Sequence, residues 1–504
     1  MKNLRHYLSL ASLGLLMGCQ YEFPDEAVTE PGSGQADFTK MVAVGDSFTA
    51  GFMDGALYNR GQENSFVVIL AEQMKMAGGG EFNVPDINSE NGFFALGPGN
   101  EVYGRLVLTY DTTSSSTDPP PAVPAPIGPG DLPSPYTGDK SMLNNFGVPG
   151  ITLVTALIPD TGNPTSPLFN PYYGRMASSP GSSTVIGDAA NALANGGTFF
   201  SFWLGNPDVV NYATGGASNP FLLTEEVTFN ESLNAALGAM LNANSEAKGV
   251  VMTIPNLNIF PYFNLINPLR IPVPPAARPP LGEGLAQLNA AINGWNQGIN
   301  ANPNIPEPVK ESLIRPSLST DFDAYPLLIL DPSLSDAEIP LPTGESFVIP
   351  KIRNLTTEDE VKIPLGAQAS LSQGVGISPM SPLNEAQYDS VYLSKSEQAE
   401  IQDKINKFNN FIGTAVADNG ERLLLVDVND FLGRLIEDTA YSDEIRLKAT
   451  IIPPNGAFSL DGLHPNARGN AFLANFIIDA INEKWEANIP NANPNAFPGN
   501  DLPR

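Results

Sequence analysis

At 504 residues, with 42% hydrophobic and 16% charged residues, the chain can bury a sizeable core, and its length fits one large domain with insertions or a few smaller ones. A net charge of −28 excludes a nucleic-acid partner and peripheral docking on anionic lipid, since both present repelling phosphate. Pro (47) and Gly (46) are frequent but follow no period, which excludes a collagen-like chain and points to long, turn-rich insertions.

Residues 1–18 have the layout of a targeting leader. Lys2 and Arg5 form a charged start, and Leu8 to Leu16 is an apolar run too short to span a bilayer. The run ends in Leu16-Met17-Gly18-Cys19, which resembles the lipobox of bacterial lipoproteins. That resemblance implies cleavage before Cys19, acylation of its thiol and new amino group, and a lipid anchor in the bacterial cell envelope. An outer-membrane position, periplasmic or surface-exposed, is the expected location. Cys19 is the only cysteine, so an intrachain disulfide and a cysteine-based metal site are excluded. Residues 19–36 are acidic and carry Gly, Pro and Ser, as a tether would.

Met41 to Val44 predicts a buried strand, broken by Gly45-Asp46, with Ser47 at the turn that follows. Phe66 to Met76 predicts a helix, and Leu106 to Thr109 a short strand. Thr112 to Tyr136, rich in Ser and then Pro, predicts a loop without regular structure. Asn144 to Gly150 predicts a strand and turn, followed by a helix-like apolar segment from Ile151. Thr198 to Leu204 predicts an aromatic strand ending at Gly205-Asn206-Pro207-Asp208. Further on, Asn230–Asn244, Gly284–Ile299, Glu397–Val416 and Gly469–Trp485 predict helices, and Gly249–Ile254 and Arg422–Val428 predict strands.

This alternation predicts an α/β protein, a three-layer α/β/α sandwich with a mainly parallel, flavodoxin-like central sheet. The main domain is expected over residues 37–486, with insertions near 84–140, 255–283 and 300–394, and a Pro/Asn-rich tail over 487–504. The two later insertions, lacking sustained periodicity, are expected as rim elements without a domain of their own.

Beyond the leader the only histidine is His464, in Asp461-Gly462-Leu463-His464-Pro465-Asn466. An Asp three residues before a His can set its carboxylate beside the ring and fix the tautomer. Alternatively, the loop only caps the closing helix. Taken together, Gly45-Asp46-Ser47, Asn145 to Gly150, Gly205 to Asp208 and Asp461-x-x-His464 resemble, in order, blocks of the GDSL/SGNH serine hydrolases. The resemblance implies Ser47 as nucleophile, His464 as general base and Asp461 as its orienting carboxylate. It also implies an oxyanion hole formed by the N–H groups of Ser47 and Gly150. The family's third donor is an Asn side chain, but Pro207 holds that slot and has no donor, so the role falls to the adjacent Asn206. The chemistry needs no cofactor and no metal. The implied activity is ester hydrolysis, carboxylesterase- or lipase-like, through an acyl-enzyme on a small-molecule or lipid-like ester. The alternative is a non-catalytic or weakly active surface lipoprotein that binds glycan or polymer on the same scaffold. Asn256 to Ile266, aromatic and aliphatic, is expected either to suit an apolar acyl chain at the site mouth or to pack beneath the insertions.

Overall fold

The strand predicted around Val42 forms, and four more join it in parallel. In the computed structural model, which describes residues 30–110, 121–340, 344–379, 390–442 and 445–503, the central sheet comprises β1 (Met41–Gly45), β2 (Asn145–Gly147), β3 (Phe199–Trp203), β4 (Lys248–Met252) and β5 (Leu423–Val426). Their spatial order is β5-β4-β3-β1-β2, with every pairing parallel. β1 and β3 are buried along their whole length, as strands covered on both faces must be. The leader, Cys19 and most of the expected tether lie outside the described residues. Among the described residues no helix is long and apolar enough to cross a membrane.

The covering helices form two groups. α1 (Ser47–Ala50) is a single turn directly after β1. α2 (Phe66–Met76) packs with the closing helix Ala467–Trp485, which buries Phe472, Ile477, Ile478 and Ile481. α3 (Val185–Ala194) packs with α5 (Glu226–Ala243), and α5 packs with the long helix Lys395–Ala417; the short α4 (Pro207–Thr214) follows β3. Lys395–Ala417 shows why its prediction was simple. Ile401, Ile405, Phe408, Ile412 and Val416 recur every three or four residues on the buried face, and Ser394 with Glu397 forms a capping box.

Strand order places the candidate site. The chain runs outward from β1 to β2, then returns past β1 to β3, so the order reverses beside β1. In open parallel sheets the crevice at the carboxyl ends of strands flanking such a reversal is where ligands bind. In register, Gly45 lies opposite Gly147 of β2 and Trp203 of β3. Ser47, Gly150 and Asn206 therefore leave three neighbouring strand ends within two or three residues of one line.

Three expectations change. Within residues 112–136, Ala122–Pro126 is a strand, pairing antiparallel with Leu106–Tyr110. Pro124 and Pro126 fit there because the pair is two-stranded and the prolines can face its open edge. The segment after Ile151 is not an α-helix but two 3-10 turns, Thr155–Leu157 and Pro159–Gly162. Prolines at 159, 164 and 167 keep breaking it, and the true helix is α3, capped by the Thr184 hydroxyl. Finally, much of residues 266–392 gathers around a hydrophobic core of its own. The helix Arg278–Ala301 contributes Leu281, Leu285, Leu288 and Ile292, and short strands contribute Leu328, Ile329 and Ile352.

Candidate active site

The site starts from a turn that only glycine permits. A Cβ on Gly45 would lie 2.1 Å from Thr49 Oγ1 and 2.6 Å from the Trp203 carbonyl. The tight exit lets Asp46 cap α1: its Oδ1 accepts the Phe48 N–H at 3.0 Å. Ser47 is thereby the first residue of a one-turn helix, half-buried, with its hydroxyl at the sheet rim.

His464 arrives from the other end of the chain. Its Nε2 is 2.8 Å from Ser47 Oγ, and its Nδ1 is 3.0 Å from Asp461 Oδ2. Asp461 Oδ1 accepts the backbone N–H groups of Leu463 (2.8 Å) and His464 (2.9 Å), while Oδ2 also accepts the Gly55 N–H at 3.0 Å. Burial pulls the Asp461 carboxyl up. The facing imidazole and these N–H donors outweigh burial and hold it below the ordinary value, so it is ionised at neutral pH. The imidazole also packs between two rings, with centroids 4.8 Å from Phe48 and 5.1 Å from Phe52.

The loop carrying this pair is closed on itself and tied to the loop after α1. Ser459 N–H donates to the His464 carbonyl at 2.8 Å, and Gly462, at φ +73°, turns the chain between Asp461 and Leu463. Across the gap, Asp54 N–H donates to Ser459 Oγ at 3.0 Å, and Asp54 Oδ1 accepts the Leu460 N–H at 2.9 Å. Asn466 caps the closing helix, its side chain accepting the Gly469 N–H at 3.0 Å. The capping reading therefore holds for Asn466, while His464 is buried against Ser47.

Gly150 sits at φ +75°, exposed, in the turn after β2. Asn170 Nδ2 donates to the Pro149 carbonyl at 2.9 Å and fixes that turn, while Asn145 Nδ2 ties β2 to the Thr49 carbonyl at 3.0 Å. Among the described residues neither the Ser47 N–H nor the Gly150 N–H has an acceptor. Asn206, almost fully buried, reaches Asp46 instead: Nδ2 donates to Asp46 Oδ2 at 2.8 Å. Pro207 occupies the first position of α4, where a missing N–H is harmless. Burial pushes the Asp46 carboxyl up to about 6, against the Phe48 and Asn206 donors. Asp208 is also fully buried, accepting from Leu153 N–H (2.7 Å) and Thr224 Oγ1 (2.8 Å), and burial pushes it up to about 7.

The predicted residues Ser47, His464 and Asp461 thus meet as one hydrogen-bonded string, while Asp54, Gly55, Phe48, Phe52 and Asn170 were missed. A buried acid among 54 acidic residues, or an aromatic in an aromatic-rich chain, carries no local signal of its tertiary contacts. The loop after β4 does reach the site, with Tyr262 N–H donating to the Gly462 carbonyl at 3.0 Å. Two of its rings are core: Phe260 and Phe263 are buried, and Phe260 packs on Phe48 and Phe458, while Tyr262 is half-buried. Phe260 and Phe263 thus pack, but into the central core and not beneath the insertions, while Leu265 stays exposed. Among the described residues no cluster of three or more His, Cys, Asp or Glu could hold a metal. No family model, curated protein or solved structure matches the chain.

Proposed function

We propose that the protein is a serine ester hydrolase, with Ser47 as nucleophile, His464 as general base and Asp461 as its orienting carboxylate. The observation that carries this is the string Ser47 Oγ, His464 Nε2, His464 Nδ1, Asp461 Oδ2, with links of 2.8 and 3.0 Å, beside two unpartnered backbone N–H groups. Ser47 Oγ attacks the ester carbonyl while Nε2 takes its proton. The Ser47 and Gly150 N–H groups receive the oxyanion, and the alcohol leaves with the proton from Nε2. Water, activated by His464, then releases the acid and frees Ser47. The likeness of the blocks to the GDSL/SGNH hydrolases and the 2-1-3-4-5 strand order agree with this reading. A lipid-anchored location, from the Cys19 signature, is part of the same proposal. Because Phe260 and Phe263 belong to the core, the substrate side is proposed for esters with short acyl groups.

The test is covalent labelling by a fluorophosphonate, with turnover of p-nitrophenyl acetate and octanoate, in the wild type and Ser47→Ala. Labelling and acetate turnover in the wild type alone are expected. Labelling that persists in Ser47→Ala would refute the nucleophile. Pro207, at the slot of the third donor, favours the second reading, a binding protein on a hydrolase-like scaffold. A folded wild type that takes no label would support it.

A further inference from the structure

The Ser47 loop and the His464 loop lie some four hundred positions apart in the chain, and one of the residues that join them touches neither reacting atom. Asp54 is buried, with its backbone in the left-handed region at φ +54°. Every polar atom it has is engaged. Its N–H donates to Ser459 Oγ at 3.0 Å, and its carbonyl accepts the Leu106 N–H at 2.8 Å. Oδ1 accepts the Leu460 N–H at 2.9 Å; Oδ2 accepts the Tyr58 hydroxyl at 2.7 Å and lies 3.9 Å from Arg105 Nη1. The next residue, Gly55, delivers its N–H to Asp461 Oδ2, the same oxygen that faces His464 Nδ1.

We infer that Asp54 is a positioning residue for the Asp461–His464 pair, acting as the acceptor that clamps residues 459–460 against the loop after α1. With Leu460 and Ser459 pinned, Asp461 can turn only one way, and Gly55 then holds its Oδ2 in line with the imidazole. The acceptor oxygen does this, not the charge. The kinetic consequence rests on the serine-hydrolase reading; the placement of the imidazole does not.

The test compares Asp54→Gly with Asp54→Asn in the full chain. Glycine suits φ +54° but removes the acceptor, whereas asparagine tolerates the left-handed region and keeps a carbonyl for Leu460. Asp54→Gly should lose about tenfold or more in kcat on p-nitrophenyl acetate with KM nearly unchanged, because misplacing a catalytic group slows the step without weakening binding. Asp54→Asn should keep at least about half of the wild-type kcat, since its oxygen still accepts the Leu460 N–H. The second readout is the His464 Nδ1 proton in protein carrying nitrogen-15 histidine, assigned by its loss in His464→Gln. Its downfield signal should persist in Asp54→Asn and broaden or vanish in Asp54→Gly. Wild-type kcat and an intact signal in Asp54→Gly would overturn the inference, as would an Asp54→Asn protein as impaired as Asp54→Gly. Should Asp54→Gly fail to fold, Ser459→Ala decides, by a several-fold loss of kcat or by none. A wild type without turnover or label refutes the hydrolase reading alone, and the imidazole signal still reads the clamp.

Discussion

Asn206 Nδ2 donates to Asp46 Oδ2 across 2.8 Å, and the Oδ1 of the same amide is buried without a partner among the described residues. The residue before Ser47 therefore sets the orientation of the amide that the sequence nominates as third oxyanion donor. An asparagine amide has two N–H groups, and Asp46 takes one of them. In the proposed reaction the second would serve the developing oxyanion. Asn206→Ala should lower kcat on p-nitrophenyl acetate by about 100-fold, the usual loss for one such donor. It should also destabilise the fold by about 1–3 kcal/mol in urea unfolding, because the buried Asp46 oxygen loses its donor. Lost stability with retained kcat would reduce Asn206 to a brace for Asp46.

Asp461 separates orientation from folding. In Asp461→Asn the side-chain oxygen can still accept the Leu463 and His464 backbone N–H groups, so the loop should close. The new NH2 would face His464 Nδ1 and the Gly55 N–H, both of which now meet a carboxylate oxygen. The ring must then carry its proton on Nε2, where it cannot accept from Ser47. A fall on the order of 10⁴ in kcat and in the rate of phosphonate labelling is expected in a protein that still folds, with a lowered melting temperature because the Gly55 N–H loses its acceptor. A loss of less than tenfold would show that the ring keeps its tautomer without Asp461.

Where the sequence was legible, one local pattern met one local cause. The run Met41–Val44 followed by Gly45-Asp46-Ser47 is a fully buried strand with a forced turn, and Asp461-x-x-His464 closes within a single loop. Phe66–Met76 was placed to the residue by its apolar spacing, which buries Val67, Leu70, Ala71 and Met74. What stayed hidden depends on partners far along the chain. Ala122–Pro126 looks like coil until Leu106–Tyr110 pairs with it. The core around Leu285 and Leu328 is assembled over more than a hundred residues: the periodic helix Arg278–Ala301 is legible, but the short strands that complete the core are not. Asp54 has no sequence signature at all, because its role is defined by Ser459 and Leu460.

The glycines around Ser47 should divide into two kinds. Gly45→Ala puts a methyl within 2.1 Å of Thr49 Oγ1, and Gly147→Ala puts one 2.3 Å from the Ala50 nitrogen. Both press on α1, and backbone cannot yield cheaply, so about 3 kcal/mol or more should be lost from each in thermal or urea unfolding. Gly150 has open space around its would-be Cβ, and only its φ of +75° opposes a side chain. Gly150→Ala should cost about 1–2 kcal/mol and stay folded. Its kcat should nevertheless fall, because relaxing φ turns the exposed N–H away from the rim. Equal destabilisation of all three would contradict this division.

The buried carboxyls give the fold a pH dependence opposite to the common acid-unfolding case. Asp46 and Asp208, raised by burial from 3.8 to about 6 and about 7, hold protons in the native chain that the unfolded chain has already released. Between about pH 4 and 7 the native state therefore binds more protons, and stability falls as pH rises through that window. Asp461 works the other way: held below 3.8, it contributes stability above that value and loses it as pH falls further. The melting temperature should accordingly be higher near pH 5 than at pH 8, and drop again in stronger acid. Asp208→Asn isolates one of these groups, since its oxygen can accept the Leu153 N–H and its NH2 can donate to Thr224 Oγ1. That variant should be more stable than the wild type at pH 8 by roughly 2 kcal/mol, with a flatter slope between pH 5 and 8. Parallel stability curves for the two proteins would show that Asp208 is ionised throughout, and that its two donors outweigh its burial.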